Sequence, residues 1–218
     1  MKHQQSGFTL VEIAIVLVII GLLLGGVLKG QELINSAKAK SYAQDFRTIQ
    51  SALYGFQDRY KGIPGDLAGA NTKINGATLA TGTLGDGKID GVWDTVTPTN
   101  ESCLAWQHLR LAGFLAGNTT NNCTTGDAYL QSNADGGRIG ISSTMHITGM
   151  TGSYNICSDG VLGKIAKQLD TQLDDGVSNT GSFRVIARAT APAASGAAVV
   201  PSATLPDDST PYTVCLSF

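Results

Sequence analysis

An uninterrupted apolar segment lies close to the start of the sequence. From Phe8 to Leu28 the chain reads FTLVEIAIVLVIIGLLLGGVL, in which Glu12 is the one ionisable side chain. As a helix rising ~1.5 Å per residue, this segment is long enough to cross a hydrocarbon layer of ~30 Å. The apolar run is too long for a secretory signal peptide, so the pattern predicts a membrane-spanning helix.

A second pattern follows beyond Lys29, where apolar residues recur at spacings of three and four. This spacing predicts one apolar stripe on a helix that reaches about Lys61. Pro64 and Gly65 then end it, because proline removes a helical hydrogen bond. The whole helix would be ~80 Å long. The stripe comprises Phe46, Ile49, Leu53, Phe56 and Tyr60.

The rest of the chain is rich in Gly, Ser, Thr, Asn and Asp and predicts a loop-rich, β-containing head. Apolar residues at helical spacing between Cys103 and Ala116 predict a short buried helix. Segments 137–147, 181–189 and 212–218 have β-like composition, and 189–206 is expected to be an exposed loop. The predicted fold class is α+β, with a long N-terminal helix packed on a small antiparallel β head.

Charge is distributed unevenly between these parts. Residues 1–61 carry seven basic and four acidic side chains, whereas residues 62–218 carry eight basic and thirteen acidic ones. Non-specific nucleic-acid binding depends on clustered Lys and Arg. We therefore do not expect a nucleic-acid partner for the acidic head.

Glu12 stands out because a carboxylate inside a bilayer costs a few kcal/mol and usually has a functional partner. Glu12 lies only a few residues into the apolar run, so hydration near the membrane surface is an equally open interpretation.

The segment Gly7-Phe8-Thr9-Leu10-Val11-Glu12, followed by the apolar run, resembles the prepilin processing motif of type IV pilins and type II secretion pseudopilins. The resemblance implies a pilin-like fold. It implies cleavage between Gly7 and Phe8 by a prepilin peptidase, with methylation of the new amino terminus. It also implies that Glu12 pairs with the Phe8 amino group of a neighbouring subunit during assembly.

This resemblance sets the expected organisation: a leader peptide at 1–7, a transmembrane and filament-core helix at 8–28, an amphipathic stem helix at 29–61 and a head at 62–218. The implied partners are further copies in a helical filament, other pilins or pseudopilins, the peptidase, an inner-membrane assembly platform and membrane lipid. The implied location is the bacterial inner membrane, then an extracellular or periplasmic filament.

Two features depart from the simplest form of this expectation. The resemblance places the head outside the cytoplasm. The positive-inside rule alone favours the opposite orientation, because the basic residues beyond the span outnumber Lys2. Many major pilins carry a proline at the position of Lys29, which this chain lacks. Its nearby glycines are expected either to weaken the helix or to permit close helix packing. They are Gly21, Gly25, Gly26 and Gly30.

Four cysteines fall in the part of the chain that this orientation places outside the cytoplasm, and an even number there predicts two disulfides. Of three possible pairings, we favour Cys103 with Cys123, which closes a local loop. The second pair is then Cys157 with Cys215, which ties down the C-terminus.

Calcium is a candidate ligand of the glycine-punctuated loop that contains Asp86, Asp90 and Asp94. The pattern is an incomplete EF-hand, so a solvated turn is favoured. The acidic run from Asp170 to Asp175 raises the same question, and there a solvated helix end is favoured over a metal site. His108 is expected to be a packed or surface histidine, because no second ligand lies four residues on. No other cofactor is expected.

These observations favour a structural filament subunit rather than an enzyme. A pseudopilin, or a minor tip subunit whose head binds a ligand, is the alternative within the same class. A membrane-tethered enzyme is a third hypothesis, but GxSxG, HExxH and P-loop motifs do not occur in the sequence.

Overall fold

The computed structural model describes residues 9–124, 129–188 and 207–218. The predicted leader, Phe8 and the loop expected at 189–206 lie outside the described residues. The chain divides into two compact units, Met1–Ala37 and Lys38–Phe218.

Helix α1, Leu10–Tyr60, runs through both units. It contains no proline, and Leu, Ile and Val dominate its first half. Every residue from Thr9 to Lys29 is exposed in the isolated chain. By length and composition, α1 includes a segment that can cross a membrane. The apolar side chains between Thr9 and Lys29 therefore do not pack against other described residues of that unit.

Within the second unit, α1 buries one stripe against the rest of the head. The residues of this stripe recur at spacings of three and four, as the sequence predicted. The helix ends at Tyr60, where Lys61 adopts a φ of 51° and Pro64 follows shortly after. The buried positions are Ala39, Tyr42, Ala43, Phe46, Ile49, Ala52, Leu53 and Phe56.

Within residues 62–124, 129–188 and 207–218, the strands form one five-stranded antiparallel sheet with the order β1-β2-β3-β5-β4. The central strand β3 pairs with β2 on one side and with the C-terminal strand β5 on the other. The chain's last strand is thus held between two neighbours rather than at an edge. The strands are β1 Gln131–Ser132, β2 Arg138–Ser142, β3 Asn155–Leu162, β4 Phe183–Ala187 and β5 Pro211–Ser217.

The two faces of the sheet contact different apolar clusters, as expected from the two-residue period of strands. One face packs on α1, with the rings of Phe46 and Phe183 edge to face at 6.2 Å between centroids. The other face carries Cys157 and Cys215 against Trp93. The sheet is therefore covered on both sides.

The described part of the head also contains three shorter α-helices: α2 Ala70–Lys73, α3 Glu101–Leu111 and α4 Gly163–Leu173. The buried helix predicted between Cys103 and Ala116 is present as α3, whose residues 101–110 are all buried. It ends earlier than expected, because Gly113 turns the chain with a φ of 80°. Phe114 and Leu115 still pack on the core from the following loop.

Strands β2 and β4 lie within two of the segments that composition marked as β-like, and β5 overlaps the third but begins one residue earlier, at Pro211. The central strand β3 was not predicted, because its sequence NICSDGVL mixes Ser, Asp and Gly among its apolar residues. Asp159 and Gly160 lie at a register shift between Ser158 and Val161, and Gly160 has a φ of 73°. This irregularity indicates a β-bulge, which accounts for the glycine inside the strand.

Candidate functional site

The helix start contains a reciprocal set of hydrogen bonds between Thr9 and Glu12. The Glu12 carboxylate accepts bonds from the Thr9 backbone N–H and from the Thr9 hydroxyl, both at 2.8 Å. The Glu12 N–H in turn donates to the Thr9 hydroxyl oxygen at 3.3 Å. Thr9 is the N-cap and Glu12 the third helical residue, so the pair forms a capping box.

The spacing Thr-x-x-Glu before an apolar run is the signature of a capping box, a role for Glu12 that was not among the expectations from sequence. The box has a second consequence, because the carboxylate lies at the positive end of the helix dipole. Its oxygens are thus partly satisfied within the chain, while the side chain remains exposed and able to accept a further cation.

The glycines of the apolar half have no packing partner within the described chain. A Cβ built at Gly21, Gly25, Gly26 or Gly30 would meet no atom within 4 Å. Their small size therefore serves no contact in the isolated subunit. Close approach by another helix and local weakness of α1 both remain predictions for these positions.

Both disulfides occur in the pairing that the sequence favoured. Cys103 of α3 joins Cys123, with 6.2 Å between their Cα atoms. Cys157 of β3 joins Cys215 of β5, with 4.1 Å between their Cα atoms, at directly paired positions of the two strands. The second bond fastens the last strand to the centre of the sheet.

His108 lies in the core, between the end of α1 and the loop that follows α2. The Gly65 N–H donates to its Nδ1 at 2.9 Å, so Nε2 carries the proton and donates to the Thr78 carbonyl, also at 2.9 Å. Its side chain is fully buried, and burial lowers its pKa below 6.5. The contacts match a structural role for this histidine.

Glu101 at the start of α3 is a buried acid within a group of carboxylates. It is 1% exposed, and one of its oxygens accepts the Asp90 N–H at 2.7 Å. Its other oxygen has no hydrogen-bond partner among the described residues. Burial raises the pKa of Glu101 from 4.5 to about 7, and the nearby charges of Asp66, Asp90 and Asp86 act in the same direction.

This shift predicts a pH-dependent stability that replacement of Glu101 removes. The folded-state pKa lies above the unfolded value, so the contribution of Glu101 is complete below pH 4.5 and is lost as the pH rises through about 7. The Glu101→Gln variant should match the wild type near pH 4.5 and exceed its free energy of unfolding by up to roughly 3 kcal/mol at pH 8.5.

Denaturant unfolding of both proteins at the two pH values checks this. The comparison with wild type cancels the opposite contributions of His108 and His146, whose pKa values are lowered chiefly by burial. A difference of the same size at both pH values would refute the assignment.

The three aspartates of the predicted calcium loop occupy different environments. Asp86 and Asp90 are exposed, and the Asp86 carboxylate accepts the Lys88 N–H at 3.0 Å. Asp94 is buried at 4% exposure and lies near His146, whose ring contacts Trp93. The favoured solvated turn is therefore wrong for Asp94, and calcium as a ligand of this loop stays the second prediction. Among the described residues, the carboxylates that converge are Asp170, Asp174 and Asp175.

The N-terminal segment matches a known protein family. Residues 2–28 match the family described as the prokaryotic N-terminal methylation motif. This is the prepilin-type signal of type IV pilins and pseudopilins, and the resemblance inferred from Gly7 to Glu12 is confirmed. No curated protein gives a significant match to the chain. Together with the long apolar helix and the small antiparallel sheet, the motif indicates a type IV pilin-like or pseudopilin precursor.

Proposed function

We propose that the chain is a structural subunit of a type IV pilus-like filament, assembled through its N-terminal helix. A prepilin peptidase removes residues 1–7, and Phe8 becomes the methylated amino terminus. The carboxylate of Glu12 then pairs with the Phe8 amino group of a neighbouring subunit. The head lies outside the cytoplasm, first at the inner membrane and then on the filament surface.

The observation that carries this proposal is the exposure of the apolar segment from Thr9 to Lys29. All of its side chains are exposed in the isolated chain, so the segment requires either lipid or other apolar helices around it. When the subunit leaves the membrane, identical segments of other subunits can pack around this one and replace the lipid. A carboxylate in a dry bundle requires a cation, and the amino group of Phe8 supplies one.

The proposed domain roles follow from the same segment. Residues 8–28 form the filament core, residues 29–61 join that core to the head, and residues 62–218 form the outer surface. In the head, the buried stripe of α1 provides a rigid attachment between helix and sheet. Other pilins or pseudopilins and an inner-membrane platform are the proposed partners during assembly.

The distribution of the chain between cell-bound and sheared fractions of its native host tests this proposal. A pilus subunit is expected in filaments that mechanical shearing releases from the cell surface. A pseudopilin would stay in the cell-bound fraction, and its deletion would block secretion of exoproteins instead. Recovery of the chain in membranes alone, with no filament and no secretion defect on deletion, would refute both assignments.

A further inference from the structure

Two adjacent cavities lie on the surface of the head where helix α1 ends. The first encloses about 300 Å³ between the end of α1, the turn that follows it and the loop of residues 85–87. The second, of about 480 Å³, lies along the exposed face of α1. Both are lined by Gln57 and Lys61, so they form one groove, which we call the α1-end groove. Its other lining residues include Tyr54, Asp58, Lys73 and Tyr154.

Aromatic side chains form one wall of the α1-end groove. Tyr54 and Tyr154 line it, and the ring of Phe218 contacts both, at 5.9 Å and 6.0 Å between centroids. Backbone bonds hold this wall in place, because the Phe218 N–H donates to the Tyr154 carbonyl at 3.0 Å. The Tyr154 hydroxyl donates to the Gly87 carbonyl at 2.9 Å. Tyr54 is 50% exposed, so part of the aromatic surface is open to a ligand.

Polar groups of both signs lie beside the aromatic wall. Gln57, Lys61 and Lys73 offer N–H donors, and the carboxylate of Asp58 offers acceptors. The two lysine charges are balanced by those of Asp58 and Asp66, so the lining carries no net charge. The end of α1 also places the negative end of its dipole here, which disfavours an anion. The groove therefore suits a neutral ligand with many hydrogen-bonding groups.

Lys61 occupies its place in the groove at a conformational cost. Among residues 9–124, 129–188 and 207–218, it is the one residue other than glycine with a positive φ, at 51°. Glycine is favoured in this conformation directly after a helix, because a Cβ is strained there. The ion pair of Lys61 with Asp58 joins side chains that are 78% and 87% exposed, so it contributes little. The basic residue that a helix end favours is already supplied by Arg59, which leaves the groove as a use for the Lys61 side chain.

We propose that the α1-end groove binds a neutral carbohydrate. A sugar ring has an apolar face of C–H groups, which packs on an aromatic ring, and an edge of hydroxyl groups, which donate and accept hydrogen bonds. A purely apolar ligand would leave the polar groups of Gln57, Lys61 and Lys73 unpaired. The first cavity also reaches the volume at which small-molecule sites begin. This role goes beyond filament assembly, because none of these residues lies in the apolar half of α1.

Saturation-transfer NMR on the full chain in lipid nanodiscs tests the site. Alkyl-glycoside detergents are avoided, because their sugar headgroups would compete. The probes are maltose, lactose, mannobiose and N,N′-diacetylchitobiose, each at about 10 mM, which detects millimolar affinity. At least one probe should give a signal from its C–H protons. Its Kd should be roughly fivefold weaker in Tyr54→Ala, which should still fold because Tyr54 is half exposed.

The Lys61→Gly variant separates binding from folding. Glycine relieves the positive φ, so the Tm should equal or exceed that of the wild type while the sugar binds more weakly. The matched control Lys40→Gln, at an exposed lysine elsewhere on α1, should change neither.

Three results would each overturn the proposal: no signal from any of the four sugars, an unchanged Kd in Tyr54→Ala and Lys61→Gly, or tighter binding of glucose 6-phosphate than of every neutral probe. The measurement requires no filament, so its failure is distinct from failure of the proposed assembly role.

Discussion

Replacing Glu12 by glutamine is expected to abolish filament formation while the chain still folds and enters the membrane. Glutamine at the third helical position preserves the capping box with Thr9, because its amide oxygen still accepts from the Thr9 N–H and hydroxyl. The substitution removes the negative charge alone. The charge-assisted bond to a neighbouring Phe8 amino group is then lost, and such bonds are among the strongest in proteins.

Two further variants separate the charge from the cap. Thr9→Ala removes the cap but retains the carboxylate, and should cost ~1 kcal/mol of helix stability while still permitting filaments. Glu12→Ala removes both and should resemble Glu12→Gln in assembly. Electron microscopy of negatively stained cells scores all three. Normal filaments from Glu12→Gln, or filament loss with Thr9→Ala alone, would show that the cap and not the charge drives assembly.

Loss of the disulfides is expected to have the largest effect on the head. A disulfide stabilises a protein by restricting its unfolded chain. By this account the bond between Cys157 and Cys215, which are 58 residues apart, contributes about 4 kcal/mol to the free energy of unfolding. The bond between Cys103 and Cys123 closes 20 residues and contributes about 3 kcal/mol. The pair Cys157→Ser and Cys215→Ser should therefore be more damaging than Cys103→Ser and Cys123→Ser.

Denaturant unfolding of the two double variants and the wild type, without reductant, measures these differences. Reduction of the wild type should lower its unfolding free energy by at least as much as the worse variant does. The ranking also has a structural basis, since β5 pairs with both β3 and β4 and its loss would expose two strand edges. An equal or reversed ranking would contradict the account.

The long helix was predictable because its signals are local and mutually consistent. The apolar run, the stripe from Phe46 to Phe56 and the Pro64 stop each depend on residues near in sequence. The disulfides were predictable for a related reason, since few cysteines leave few pairings. The residues from Thr9 to Glu12 also carry the signature of the capping box, but the processing motif accounts for the same residues and so conceals it.

The central strand β3 and the burial of Asp170 were beyond the reach of such reasoning. Strand β3 is buried on both faces, and its Asp159 is satisfied by Arg188 and Thr213, which lie far away in sequence. Composition could not reveal that compensation. Likewise, the run from Asp170 to Asp175 was expected to be a solvated helix end, which is wrong for Asp170 because the fold buries it at 1% exposure.

The most direct test of the central claim is the intact mass of the protein extracted from the membranes of its native host. The account predicts a mass equal to residues 8–218 carrying one N-terminal methyl group and two disulfides, from cleavage between Gly7 and Phe8. A chain that retains residues 1–7, or one cleaved elsewhere and unmethylated, would contradict processing by a prepilin peptidase and with it the filament-subunit assignment.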